Sequence, residues 1–219
     1  MKFTFISAQN KTPIEKINLD ENATLLLGDG YLPPLNLTDE LTGVSNFIKA
    51  LCLLSRKKNN LILAGCKLLC GNKTFWGTII VQSGKFLGIS DMTHSIDASY
   101  DESSSIRVFD TAIARLGVVS GDDINYFEVS RIMRLWECGL LVFSVRGRMT
   151  RAHRILAEAQ SISNGVTAVC FSSDKIFVTG AKNLIATKND AYVTPKLSDS
   201  LVKKRRAECY LELVKKPSS

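Results

Sequence analysis

Short runs of Val, Ile and Leu, several of them followed by a segment of helical periodicity, set the strongest limit on what this chain can fold into. Leu61–Leu69, Leu140–Val145 and Val166–Ser172 are too brief for core helices and too continuously apolar for strands with one wet face. Strands buried on both faces need cover on both faces, which calls for a layered α/β fold. Lys2–Ala8 and Thr24–Leu27 read as further strands, the second closed by the turn Gly28-Asp29-Gly30. Thr74–Gln82 and Lys85–Ser90 form a hairpin about Ser83-Gly84. Ile106–Phe109, Ala114–Ser120, Lys175–Thr179, Leu184–Ala186 and Ala191–Leu197 complete the extended segments, and the polar stretch His94–Ser105 is a loop.

Three segments carry helical spacing. In Val44–Lys58, apolar residues fall at Val44, Phe47, Ile48, Leu51 and Leu54, with Arg56-Lys57-Lys58 in the last turn, where cations suit the helix dipole. Tyr126–Cys138 is expected to turn Phe127, Ile132, Leu135 and Trp136 inwards, with Asp123 or Asn125 as its cap and Gly139 as its end. Arg151–Asn164 is closed by Gly165. Ser198–Leu213 reads as a last helix or irregular tail.

With 219 residues, 45% of them hydrophobic, the chain can bury a substantial core as one domain, residues 1–219, with 198–219 as a C-terminal helix or tail. No apolar run approaches the roughly 20 residues of a membrane span, and the first ten residues lack a signal-peptide core. The expectation is a cytoplasmic protein. The cysteines at 52, 66, 70, 138, 170 and 209 mostly sit among apolar neighbours, and the Cys66–Cys70 spacing has no second pair or histidine to complete a zinc set. Free thiols are expected, with no metal and no cofactor. The net charge is +7, and its one dense cluster, Lys203–Arg206, is interleaved with apolar residues. A solvated helix face explains it better than a nucleic-acid surface.

One region has a recognisable order. Val108-Phe109-Asp110-Thr111, then Leu116-Gly117-Val118-Val119-Ser120-Gly121-Asp122-Asp123-Ile124, then Phe127-Glu128 and Arg131 resemble the nucleophile segment of the nitrilase (carbon–nitrogen hydrolase) superfamily. Leu140-Leu141-Val142-Phe143 is similar to the strand that follows there, and Ala157–Val166 to the next helix and its exit. Upstream, Leu63-Ala64-Gly65, Trp76–Val81 and Gly84-Lys85 with Gly88 are similar to the strand and hairpin before the catalytic lysine. The resemblance implies a four-layer αββα sandwich, paired into homodimers through helices near the nucleophile. It also implies a Glu base, a Lys and a Cys nucleophile at three strand ends, the chemistry of a thiolate attacking a nitrile or amide carbon.

Each of those positions is altered. Gly121 stands where the cysteine belongs, Met92 where the lysine precedes the family's histidine (here His94), and Asp29 or its neighbour Gly30 where the glutamate belongs. Glu102 matches an auxiliary glutamate and is expected to line the pocket. Asp123, Glu128 and Arg131 are expected to build the elbow and anchor its helix. Ser120 neighbours the vacated position but should face away from it. A glycine at a strained elbow relieves the strain as it removes the nucleophile. The expectation is therefore a nitrilase-like protein without catalysis. It would act by binding a small molecule in the vestigial pocket bordered by Asp29, Met92 and Gly121, or by binding a protein. The rival is a divergent amidase or nitrilase cleaving a non-peptide carbon–nitrogen bond with a replaced nucleophile, drawing on Asp29 and Glu102.

Overall fold

The computed structural model describes residues 2–10, 12–180, 184–186 and 190–193. The basic cluster Lys203–Arg206, Cys209 and the expected segment 198–219 lie outside the described residues. In chain order the strands are β1 (Lys2–Ile6), β2 (Thr24–Leu27), β3 (Leu35–Asn36), β4 (Leu61–Cys70), β5 (Lys73–Gln82), β6 (Lys85–Asp91), β7 (Val108–Asp110), β8 (Arg115–Ser120), β9 (Leu140–Ser144), β10 (Thr167–Phe171), β11 (Ile176–Thr179), β12 (Leu184–Ala186) and β13 (Asp190–Val193). The helices are α1 (Leu37–Thr42), α2 (Phe47–Lys57), α3 (Phe127–Leu135) and α4 (Arg151–Asn164).

Among the described residues these strands build two sheets. The first runs β12-β13-β1-β2-β4-β5-β6, with β3 added alongside β4; the second runs β11-β10-β9-β8-β7. β1, β2 and β4 are mutually parallel, as are β8, β9 and β10. Their C-terminal ends are therefore where loops can gather a site.

Three apolar cores separate the layers. Phe3, Phe5, Leu26, Leu61, Leu63 and Ile80 of the first sheet meet Leu116, Val118, Leu140, Val142, Val169 and Phe171 of the second. The other face of the first sheet packs Leu25, Leu27, Ile62, Ile79 and Val81 under Leu51 and Leu54 of α2. The other face of the second packs Val119, Leu141, Phe143 and Cys170 under Val129, Met133 and Ala157 of α3 and α4. The order is α, β, β, α, the four-layer sandwich expected, and the continuous apolar runs are central strands for the reason given above. Among the described residues, no helix is long and apolar enough to cross a membrane.

Two helices differ from expectation. α2 begins at Phe47 rather than Val44, because Glu40 of α1, a short helix not anticipated, accepts the backbone N–H of Phe47 and of Ile48 (3.1 and 2.9 Å). That carboxylate does the work of an N-cap from outside the helix. In α3 the inward face is Val129, Ser130 and Met133. Phe127, Leu135 and Trp136, expected inside, are 40%, 64% and 45% exposed. Neither Asp123 nor Asn125 caps α3: the first is engaged elsewhere and the second donates to the Asp122 carbonyl (2.9 Å). The left-handed residue after α3 is Glu137 (φ +66°), not Gly139.

α4 follows its sequence signals. Thr150 Oγ1 accepts from His153 N (3.2 Å) and His153 Nδ1 accepts from Thr150 N (3.3 Å), a reciprocal cap, and Gly165 ends the helix at φ +63°. Removing the hydroxyl orphans one of the helix's first N–H groups. We expect Thr150→Ala to lower unfolding stability by about 1 kcal/mol in urea denaturation, with an unchanged m-value.

Candidate functional site

Four loops converge at the strand ends: the turn after β2, the long loop after β6, the 3₁₀ turn Gly121–Asn125 after β8, and the loop between β9 and α4. β8 delivers Gly121 at its end with φ +59°, a left-handed backbone that side chains other than glycine adopt at a cost. A Cβ on Gly121 would lie 2.6 Å from Met92 Sδ and 2.6 Å from Trp76 Cδ1. The space a nucleophile would use is filled.

Met92 and Trp76 fill it from the first sheet. Met92, directly after β6, is fully buried, and the amide of Asp122 points at its sulfur (3.2 Å). Trp76 of β5 is 1% exposed. Its indole passes close to Gly65 of β4; a Cβ there would come within 3.3 Å of the ring and 2.6 Å of Ser144 Oγ. Trp76 was not expected at the site. Gly65 and Gly121 are the traces its ring leaves in the sequence, and they are readable only once β4, β5 and β8 are known to meet.

Asp29 sits in the turn after β2, and its carboxylate accepts from Gly147 N (2.6 Å). Burial pushes its pKa up, against that hydrogen bond and the nearby Arg146 guanidinium. The carboxylate that would stand for the base thus holds the loop between β9 and α4. Burial, with the Asp29 carboxylate adding to it, pushes the Cys66 thiol pKa well above the ordinary value, which disfavours a thiolate.

Arg146 ties the loops together. It donates to Asp97 Oδ2 (2.7 Å) in the loop after β6, lies 3.4 Å from Asp122 Oδ2, and covers the Tyr100 ring at 4.7 Å. Hydrogen bonds from Ser99, then Arg146, hold Asp97 down to about 2. Asp123, 1% exposed, accepts from Thr93 N (2.8 Å), Thr93 Oγ1 (2.9 Å), His94 N (2.8 Å) and His94 Nδ1 (3.0 Å). Burial still pushes the Asp123 pKa up. The His94 ring stacks on Tyr126, centroids 4.2 Å apart.

The structure joins Gly121 and Met92 directly, and links Asp29 to them through Arg146 and Asp122. Three other expectations differ. Glu102 is exposed and accepts from Ser95 N (2.9 Å), bracing the loop rather than lining a pocket. Glu128 and Arg131 are exposed, and neither side chain bonds to a described residue, because the elbow is held by Asp123 instead. Ser120 spans the sheets, bonded to Thr78 Oγ1 (2.8 Å) and the Ser90 carbonyl (2.7 Å). Cys52, Cys66, Cys70, Cys138 and Cys170 are free thiols, and no cluster of metal-binding side chains occurs among the described residues.

The layered fold has counterparts among solved structures. Nit3 of Saccharomyces cerevisiae, described as a member of branch 10 of the nitrilase superfamily, is 15% identical, with a TM-score of 0.66 over 84% of this chain and 80% of its own. An amidase of the superfamily from Nesterenkonia AN1 is 12% identical (TM-score 0.68, 97% of each chain). The Caenorhabditis elegans NitFhit protein is 17% identical (TM-score 0.71, 95% of this chain and 63% of its own). The chain has the nitrilase-superfamily fold. No protein-family model matches it, and neither does any curated protein sequence. Within that fold, the turn after β8 carries glycine at residue 121, with no side chain.

The packing makes a side chain at residue 121 costly. Gly121→Cys adds a side chain at positive φ into a filled space, and should lower stability by about 2–4 kcal/mol. Pairing it with Met92→Ala opens part of that space, so the double variant should lose less than the two single losses added. Additive losses in chemical denaturation would show that Met92 does not fill the elbow.

Proposed function

We propose that this chain is a non-catalytic member of the nitrilase superfamily that acts by binding, and does so as a homodimer. The observation that carries the first half is the occupied elbow: at Gly121 there is no attacking atom, and Met92 and Trp76 take its room. A thiolate mechanism needs a nucleophile, a base and a cation within reach of one carbon. Here the base position is engaged with Gly147 N, the cation position is an apolar methionine, and the nucleophile position is hydrogen. A ligand seated in the vestigial pocket would have to displace both side chains. Binding surfaces outside it are the better reading. The divergent-amidase alternative finds no support in Glu102, which faces solvent, or in Cys66, whose thiol is buried and protonated.

The homodimer rests on α3 and α4. Phe127 and Leu135 lie eight residues apart on one side of α3, and Ile155 and Ile162 seven apart on one side of α4. With Trp136 they are 40% to 64% exposed, on two helices that pack together through Asn164 and Ser130 (3.1 Å). Large apolar side chains gathered on paired helices mark an interface, and a second copy offers a self-complementary face about a two-fold axis. Helices beside the nucleophile segment are also where the resemblance to this superfamily puts the dimer contact.

Two measurements test the reading. In sedimentation velocity the protein should run at twice the chain mass, and Leu135→Glu with Trp136→Glu should shift it to the monomer while the circular dichroism spectrum is kept. Incubation with acrylamide, simple aliphatic amides and nitriles should give no ammonia above a no-protein control. Turnover that survives alkylation of the exposed thiols would overturn the non-catalytic half.

A further inference from the structure

The outer face of the first sheet holds a cavity of about 280 Å³, away from the elbow. Its wall is Leu37, Phe75, Phe86 and Ile89, and it carries two charged side chains, Asp91 and Arg107. We propose that it binds a small zwitterionic amino acid with an apolar side chain: ammonium on Asp91, carboxylate on Arg107, side chain against the two phenylalanines.

Asp91 and Met92 are consecutive and point to opposite faces, so the residue change that fills the elbow leaves a carboxylate facing out beneath α1. Asp91 is only partly exposed, and its side chain makes no hydrogen bond or ion pair with any described residue. Burial pushes its pKa up, and Arg107 only partly offsets this. A carboxylate in that state is short of a donor, and an ammonium group supplies three. Arg107 borders the same cavity and forms no ion pair with Asp91 or any other described acid. A guanidinium with free N–H groups suits a carboxylate in a forked pair. An acid and a base that do not pair with each other, set around an apolar wall, match a ligand carrying both charges on a short apolar body. The volume, at the small end of ligand sites, limits that body to a single small side chain. A simple amine would leave Arg107 unanswered, and a simple acid would meet Asp91.

The site shares no residue with the α3–α4 face, so the dimer and this pocket succeed or fail separately. Cys70 borders the cavity and is exposed, which provides a reporter. L-leucine should give saturation-transfer NMR signals with the full chain and slow the alkylation of Cys70 by iodoacetamide, read on its peptide by mass spectrometry. Cys52, in α2, should be alkylated at an unchanged rate. Isoamylamine and 4-methylpentanoate, each keeping one charge, should bind about ten-fold more weakly or worse. Asp91→Asn and Arg107→Gln should each weaken leucine by about ten-fold at an unchanged melting temperature. No protection and no saturation transfer at millimolar leucine would overturn the proposal. So would equal binding of a single-charge analogue to the unaltered chain, a result that does not depend on either variant folding.

Discussion

The strand ends are organised by one buried carboxylate. Asp123 takes four hydrogen bonds from Thr93 and His94 while almost wholly out of water. Burial without those donors would be expensive, and the donors without the carboxylate would be left unpaired. The bond set therefore fixes where the loop after β6 begins. From that point the loop can reach Arg146 with Asp97 and Tyr100, and Arg146 in turn reaches Asp122 beside Gly121. Asp29 closes the circuit by holding Gly147. Each link presents its group to the next, so the loops are tied across the end where the sandwich would otherwise open.

That closure bears on what can stand at residues 92 and 121. A lysine at 92 would be fully buried beside Trp76, and with no thiolate or glutamate to pair it the charge would carry most of its desolvation cost. Methionine fits the irregular gap and presents its sulfur to the Asp122 amide. Once the sulfur and the indole occupy the elbow, a side chain at 121 has no room, and glycine takes the left-handed turn at least cost. The filling is imperfect, since Trp76 Nε1 and Ser144 Oγ are buried without a hydrogen-bond partner in the described structure. Two unmade hydrogen bonds are accepted in exchange for a packed apolar plug.

Much of this was legible in the sequence, and for identifiable reasons. Continuous apolar runs such as Leu61–Leu69 announce strands covered on both faces, and Arg151–Asn164, closed by Gly165, coincides with α4. The four-layer sandwich could be read because the order and spacing of its strands and helices survive. The misplaced inward face of α3 has a plain source, in that hydrophobicity does not say which apolar surface it is for. Phe127, Leu135 and Trp136 look like a core stripe, yet the core takes the smaller Val129, Ser130 and Met133. Trp76 was invisible for a related reason. Its strand is apolar on both faces, so nothing local tells that its indole, of all the buried rings, crosses to the second sheet.

The sheet itself separates the old centre from what the outer face can do. Along the end of β6 consecutive residues serve different layers: Ser90 bonds the Val118 carbonyl across the inner core (2.6 Å), Asp91 faces the outer layer, and Met92 returns inwards to the elbow. A change at 92 can therefore close the interior without disturbing the side chain at 91, because neighbours on a strand share a backbone but not a solvent environment. Met92 is held there by packing, and packing tolerates residues of suitable shape. The outward face meets no such demand from the interior, so the charges on it are free to answer to something outside the chain.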